Sequence, residues 1–347
     1  MAVSKAVATG QQPQIRVLQS LFRQTDNDNP YVKQVVAAVS PHAEVAFFSW
    51  RTALFGRYDV FHVHWPEFLL RAEGRSRAVR YALFLALLAR TAVLRRPVVR
   101  TLHNLAPHES AGATERFLLR LLDSRTQMWI RINAVTEPRA PQTVTILHGH
   151  YRDWFADKAV PASVPGRLLY FGLIRPYKGV ETLLECFRQL PAGSSDFSLR
   201  LVGNPSTAEL RQQIEDAGVA DARVSSLLAY VDDVTLAREI GESELVVLPF
   251  RQMHNSGSLL LALSLNRPVL VPRNEANEAL AAEVGPGWVY MYDGELEPAK
   301  LEVALTQLRS DTRAPRPDFS RREWADAGDQ HYRAYLSAIL GRPLEVQ

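Results

Sequence analysis

The chain has 347 residues, 47% of them apolar, with 40 Lys and Arg against 37 Asp and Glu and a formal net charge of +3. That length accommodates two domains with sizeable cores, and so even a charge balance excludes a dedicated nucleic-acid binder. The single cysteine, Cys186, excludes an intramolecular disulfide and a cysteine-rich metal site, and the polar stretch Met1–Gln14 lacks the apolar core of a secretory leader, so a cytoplasmic protein is expected.

In chain order, short apolar and β-branched runs alternate with longer helical patterns. The runs are Ile15–Leu21, Ala43–Trp50, Asp59–Trp65, Pro97–His103 and Thr143–Gly149, then Arg167–Ile174, Ser198–Asn204, Arg223–Leu228, Glu244–Phe250, Arg267–Arg273 and Trp288–Gly294. Near-continuous apolar strands are buried on both faces and belong to parallel sheets. Their alternation with helices argues an α/β fold. Asp157–Arg167, with two prolines and no periodicity, reads as a linker. The expectation is two doubly wound parallel-sheet (Rossmann-like) domains facing across a cleft. They would span 14–158 and 166–320, with a helical segment at 321–341. Ligands in such folds sit beyond the carboxyl ends of the strands.

Tyr81–Leu94 is the most apolar stretch. It contains Arg90 and is shorter than the ~20 apolar residues a spanning helix needs. Two readings stand. It is a buried crossover helix, or it lies at a membrane interface with flanking arginines on anionic head groups. Arg71, Arg75, Arg77, Arg80, Arg90, Arg95, Arg96 and Arg100 crowd this region against the lone acid Glu73, which keeps the second reading open.

The strand ending "YFGLI" runs through Gly172 into Arg175, Lys178 and Gly179, then into a helical pattern. Arginine offers a planar fork and lysine a point charge for phosphate oxygens. After the run Glu244–Phe250 comes Asn255-Ser256-Gly257-Ser258, a helix start whose backbone N–H groups suit an anion. Each feature alone reads equally well as turn charges or a serine N-cap. Together at one end of a sheet they suit a diphosphate.

These residues, with the trailing "NRPVLVP", resemble the nucleotide-binding half of GT-B glycosyltransferases. "FRQTDNDNPYVKQV", "HVHWPE", "TLHNLAPHE" and "ILHGHYRDWF" extend the resemblance over nearly the whole chain. The match is to bacterial exopolysaccharide enzymes of the GDP-mannose:glycolipid β-mannosyltransferase (xanthan-assembly) type. The resemblance implies a nucleotide-sugar donor as co-substrate, with no other cofactor, and a lipid-linked or oligosaccharide acceptor in cell-envelope glycan synthesis. The basic apolar stretch before Arg100 would bring the protein to the inner face of the cell membrane, where such an acceptor lies. The resemblance places Arg175 and Lys178 on the diphosphate, assisted by the amides of Ser256–Leu259, and Tyr230 and Val231 near the base. Many retaining members carry two glutamates eight positions apart; here Met253 and Leu261 stand in those places. An inverting enzyme fits better. A retaining transferase and a non-catalytic sugar-nucleotide-binding protein are the alternatives.

An inverting transfer needs a general base for the acceptor's proton. Candidates in the first half are Asp26 and Asp28, Glu67, His103, and His108 or Glu109. N-capping by Asp28, a solvated loop Glu67 and a structural His103 are the competing readings. Of His62 and His64, two apart on one strand, at least one is expected in the core. Neither this pair nor His148 and His150 has a third ligand at a diagnostic spacing, so no metal is expected. Asp26-Asn27-Asp28 resembles the Asp-x-Asp of metal-dependent transferases, but those have another fold. No glycine-rich fingerprint follows the first strand, which argues against a dinucleotide oxidoreductase.

Overall fold

The computed structural model describes residues 13–22, 29–71, 76–103, 112–190, 197–251 and 253–343. It divides into two compact units, residues 1–149 with 322–347 and residues 150–321. Unit one begins with β1 (Arg16–Gln19), α1 (Pro30–Val39), β2 (Glu44–Phe47), α2 (Trp50–Phe55), β3 (Val60–Val63) and α3 (Pro66–Arg71). It continues with α4 (Arg77–Val93), β4 (Val98–Leu102), α5 (Ala113–Arg125), β5 (Thr126–Arg131) and β6 (Thr143–Thr145). Helix starts are chemically marked. Asn29 accepts from the Tyr31 N–H with Pro30 in the first turn, and Ser49 and Ser76 cap α2 and α4. All four residues of β3 are buried, as a central parallel strand requires.

The sheet of unit one is parallel, in the order β2-β1-β3-β4-β5-β6. The chain therefore moves outward from β1 to β2, then returns past β1 to β3. In sheets of this kind ligands sit at such a reversal, beyond the strands' carboxyl ends. The β1–β3 register pairs Gln19 with His62 there.

Unit two runs β7 (Arg167–Phe171), a 3-10 turn (Pro176–Lys178), α6 (Val180–Arg188), β8 (Ser198–Val202), α7 (Ala208–Ala220), β9 (Val224–Leu227) and α8 (Asp233–Glu242). It ends with β10 (Leu245–Val247), α9 (Gly257–Ser264), β11 (Val269–Pro272), α10 (Glu275–Val284), β12 (Val289–Tyr292) and α11 (Pro298–Ser310). Its parallel sheet has the order β12-β11-β10-β7-β8-β9. The reversal here lies between β7 and β10. The chain's last helix, α12 (Trp324–Leu340), belongs to unit one and packs on α1 and on β3, β4 and β5.

Two expectations need correction. The boundary falls at 149/150, not across Asp157–Arg167, so the ranges 14–158 and 166–320 shift. Tyr151 and Phe155 are buried in the core of unit two, and the Tyr151 N–H donates to Ser264 Oγ at 2.9 Å. The supposed linker is tied to the same unit, through Val164 N–H to the Glu242 carbonyl (2.8 Å) and Arg267 to the Pro161 carbonyl (2.7 Å). Second, β5 was not among the expected strands. It begins at the residue after α5 ends, with no glycine or proline between, and its polar residues mask the period. Among the described residues no helix is long and apolar enough to cross a membrane.

Candidate active site

The sheet order of unit two brings the two anion-suited segments together. Arg175 and Lys178 follow β7, and the start of α9 follows β10, so they flank the reversal from its two sides. Gly172 shows how closely they meet. A Cβ on it would lie 3.2 Å from Ser258 Oγ and 3.7 Å from Lys178 Nζ. Gly179 lets the turn after β7 approach the backbone at Pro249 closely. It sits at φ +67°, where glycine is the residue of choice, and a Cβ there would stand 2.2 Å from the Pro249 carbonyl oxygen. The Lys178 ammonium lies 4.7 Å from the centre of the Phe250 ring. Burial, then the nearby Arg175 charge, lowers its pKa from 10.5 to about 8. A buried cation beside a second cation is the local field an anion relieves.

The start of α9 is made by Ser256, whose hydroxyl accepts from the Leu259 N–H at 3.2 Å. That corrects one assignment: the Leu259 amide is occupied by the cap, and the first-turn donors of α9 are the Gly257 and Ser258 amides. Gly257 also keeps space beside Tyr151, whose hydroxyl would lie 3.2 Å from a Cβ there. Asn255 is half-buried in the turn before the helix. Tyr230, 68% exposed, and Val231, packed on the core, follow β9. β9 is two strands from β7, roughly 10 Å at ordinary strand spacing. That is a nucleotide's reach, not a hydrogen bond's. Met253 and Leu261 are both buried in the apolar core, so no carboxylate stands at the two positions where a retaining enzyme was expected to carry glutamates.

Unit one has a different lining at its reversal. His62 on β3 and His64 just past its end bring their ring centres to 4.3 Å of each other, and both are buried. His62 Nδ1 is 2.8 Å from the Tyr335 hydroxyl and its Nε2 is 2.8 Å from Thr101 Oγ1. His64 Nε2 is 2.7 Å from Gln19 Oε1, and its Nδ1 is 3.1 Å from His103 Nε2. His103, just past β4, stacks on Trp65 with ring centres 4.0 Å apart and meets the edge of Tyr31. Burial is the first cause that holds His62, His64 and His103 below the usual histidine range, His64 at about 3. These rings are neutral at pH 7.

Of the candidate bases, the structure places His103 in this cluster and Glu67 in the first turn of α3, half-buried, within electrostatic range of Arg100. Asp26, Asp28, His108 and Glu109 lie outside the described residues. Gln19, His64 and Tyr335 were not anticipated as parts of a site. Only the His62-x-His64 spacing hinted at it, and of that pair at least one was expected in the core. Among the described residues no group of three or more His, Cys, Asp or Glu could hold a metal ion.

Comparison with known proteins places this geometry. A family model described as "Glycosyl transferases group 1" matches residues 165–311, which is nearly all of unit two. A GDP-mannose:glycolipid 4-β-D-mannosyltransferase of Xanthomonas campestris pv. campestris is 53% identical over 340 residues, covering 98% of this chain and 96% of that protein. The chain belongs to this glycosyltransferase family. A second mannosyltransferase from the same pathovar is 52% identical over the same shares. Among solved structures, Anabaena HepE in complex with UDP and glucose superposes with a TM-score of 0.61 at 16% identity, over 94% of this chain and 97% of that one. The catalytic domain of Arabidopsis thaliana starch synthase IV, bound to ADP and acarbose, gives 0.64 at 10%, over 94% and 100%. The family's fold is GT-B.

Proposed function

We propose that the protein transfers mannose from GDP-mannose, with inversion and without a metal, onto a lipid-linked oligosaccharide acceptor. The carrying observation is the meeting of Gly172, Lys178 and Ser258 at the β7/β10 reversal. In this reading Arg175 and Lys178 neutralise the donor's diphosphate, and the Gly257 and Ser258 amides with the Ser258 hydroxyl complete its cradle. The same groups stabilise the diphosphate as it departs, without a metal ion to assist. Tyr230 and Val231 border the base. Unit one takes the acceptor, and its proton goes to a group there. Of the candidates for it, Glu67 and His103 are among the described residues. The buried apolar Met253 and Leu261 favour inversion over retention.

The membrane part of the proposal rests on α4. Its inner face, Phe84, Leu87, Leu88 and Thr91, is buried. Its outer face is apolar as well: Ala78, Val79, Ala82, Leu85, Ala86, Ala89 and Val93 are all exposed. Both sequence readings thus describe one side of the same helix. The arginines divide too. Arg71 pairs with Glu115, Arg96 with Asp59 and Arg100 with Asp123; Arg90 donates to the Ala53 and Gly56 carbonyls, and Arg80 is buried. Arg77 and Arg95 are exposed at the two ends of α4, with Arg51 and Arg57 exposed around α2. An apolar stripe with cationic ends suits the inner face of an anionic membrane.

The test is incubation with GDP-mannose and a lipid-linked oligosaccharide, with the product's anomeric configuration read by NMR. A β-mannoside is expected. An α-mannoside overturns inversion, and tight GDP binding with no turnover on any acceptor overturns catalysis.

A further inference from the structure

The cluster at the β1/β3 reversal holds a directional chain of hydrogen bonds. Gln19 Nε2 donates to the Tyr335 hydroxyl at 3.3 Å. That turns the amide's only acceptor, Oε1, toward His64 Nε2 at 2.7 Å. A carbonyl oxygen cannot donate, so His64 carries its proton on Nε2. In a neutral ring Nδ1 is then an acceptor, and the nitrogen facing it, His103 Nε2 at 3.1 Å, must be the donor. His103 is thereby the Nε2–H tautomer, with its lone pair on Nδ1. The other branch agrees. Tyr335, accepting from Gln19, gives its own proton to His62 Nδ1, and His62 Nε2–H gives to Thr101 Oγ1. Every proton in the chain has one consistent direction.

We propose that Gln19, His64 and Tyr335 form a positioning relay that locks His103 in the Nε2–H tautomer and so makes Nδ1 the nitrogen able to accept a hydroxyl proton from a sugar substrate. The role given to Nδ1 rests on the glycosyl-transfer reading; the tautomer rests on the hydrogen bonds alone. The relay is suited to the task in one further respect. When a hydroxyl O–H breaks and its proton forms an N–H at Nδ1, His103 Nε2–H still donates to His64, so no bond of the relay has to rearrange. A histidine held in the wrong tautomer loses that function even when its geometry is intact. The relay also gives the returning helix α12 a purpose beyond packing: Tyr335, fully buried on it, sets which way the Gln19 amide faces.

Ring nitrogen NMR of the full-length protein labelled with 15N-histidine tests this directly, with His103 assigned by its loss in His103→Gln. The wild type is expected to show His103 protonated on Nε2 and bare on Nδ1. Gln19→Leu removes the acceptor and is expected to mix the His103 tautomers. It should lower kcat by on the order of ten- to a hundredfold, the scale seen when a group that orients a metal-ligating histidine is removed, with GDP affinity unchanged. Gln19→Glu, which keeps an acceptor oxygen, restores the wild-type His103 signal and most of kcat. Tyr335→Phe repeats the Gln19→Leu effect more weakly, which covers a folding failure of Gln19→Leu. A wild-type His103 protonated on Nδ1, or a His103 spectrum unchanged in both Gln19→Leu and Tyr335→Phe, overturns the relay. If the spectra behave as expected but no acceptor is ever glycosylated, the relay stands and the transfer reading falls.

Discussion

The two sheets reverse their strand order in the same kind of place and line it with opposite chemistry. At the β7/β10 reversal stand two cations and a helix start; at β1/β3 stand neutral histidines bonded to one another and to Gln19, Thr101 and Tyr335. Burial depresses Lys178 and the histidines alike, but with different consequences. It leaves the Lys178 ammonium charged at neutral pH beside the Arg175 charge, a field that suits an anion. It removes charge from the histidines entirely, leaving donors and acceptors with fixed directions. One scaffold thus makes an electrostatic site in one unit and a hydrogen-bonding site in the other, according to whether Arg and Lys or His and Gln follow its strands.

The sharpest way to break this contrast is to discharge unit two. Arg175→Ala with Lys178→Ala should lower mannosyl transfer by roughly a thousandfold, the scale of removing preorganised charge stabilisation. The histidine ring spectrum of unit one should not change. Gly179→Ala is next. A left-handed residue and a Cβ pressed onto the Pro249 carbonyl should destabilise unit two by about 1–3 kcal/mol, read by chemical denaturation, and should weaken GDP binding.

Acidity separates the units by sign. His64 titrates at about 3 and His148 and His331 at about 4, against 6.5 for an ordinary histidine. Between those values the unfolded chain binds protons that folded unit one refuses. Unit one should therefore lose stability as pH falls from 6.5 toward 4, measured by denaturation at each pH. Lys178 acts at the other end. Between about 8 and 10.5 the unfolded lysine holds a proton that the folded one releases. The unliganded unit gains stability from this group as pH rises through that window, while GDP affinity falls because the diphosphate needs the ammonium. Lys178→Arg should flatten the affinity profile. The smallest effect belongs to the surface: Leu85→Glu should change stability by no more than about 0.5 kcal/mol, yet reduce co-sedimentation with anionic vesicles.

Much of the fold was legible because parallel strands are apolar on both faces, and runs such as Arg167–Ile174 say so plainly. β5 was not legible, because it follows α5 with no punctuating residue and carries Thr126, Gln127 and Arg131. The unit boundary was misplaced because proline-rich Asp157–Arg167 resembles a linker in composition, whereas its attachment to unit two runs through backbone carbonyls, which composition does not report. The anion site was half legible. Arg175, Lys178 and the serine cap are local signals, but their meeting depends on β7 lying beside β10, a fact of strand order. The Gln19–His64–His103 relay was hidden for the same reason. Its members stand 45 and 39 residues apart, and Tyr335 comes from the far end of the chain.

The most direct measurement of the central claim is a calorimetric titration of GDP into the wild-type protein and the Arg175→Ala, Lys178→Ala double variant. The account predicts a loss of affinity of at least a hundredfold, with the thermal unfolding of the unliganded variant not lowered. Equal affinity in the two proteins would contradict it, and the diphosphate would then have to be held elsewhere than at the β7/β10 reversal.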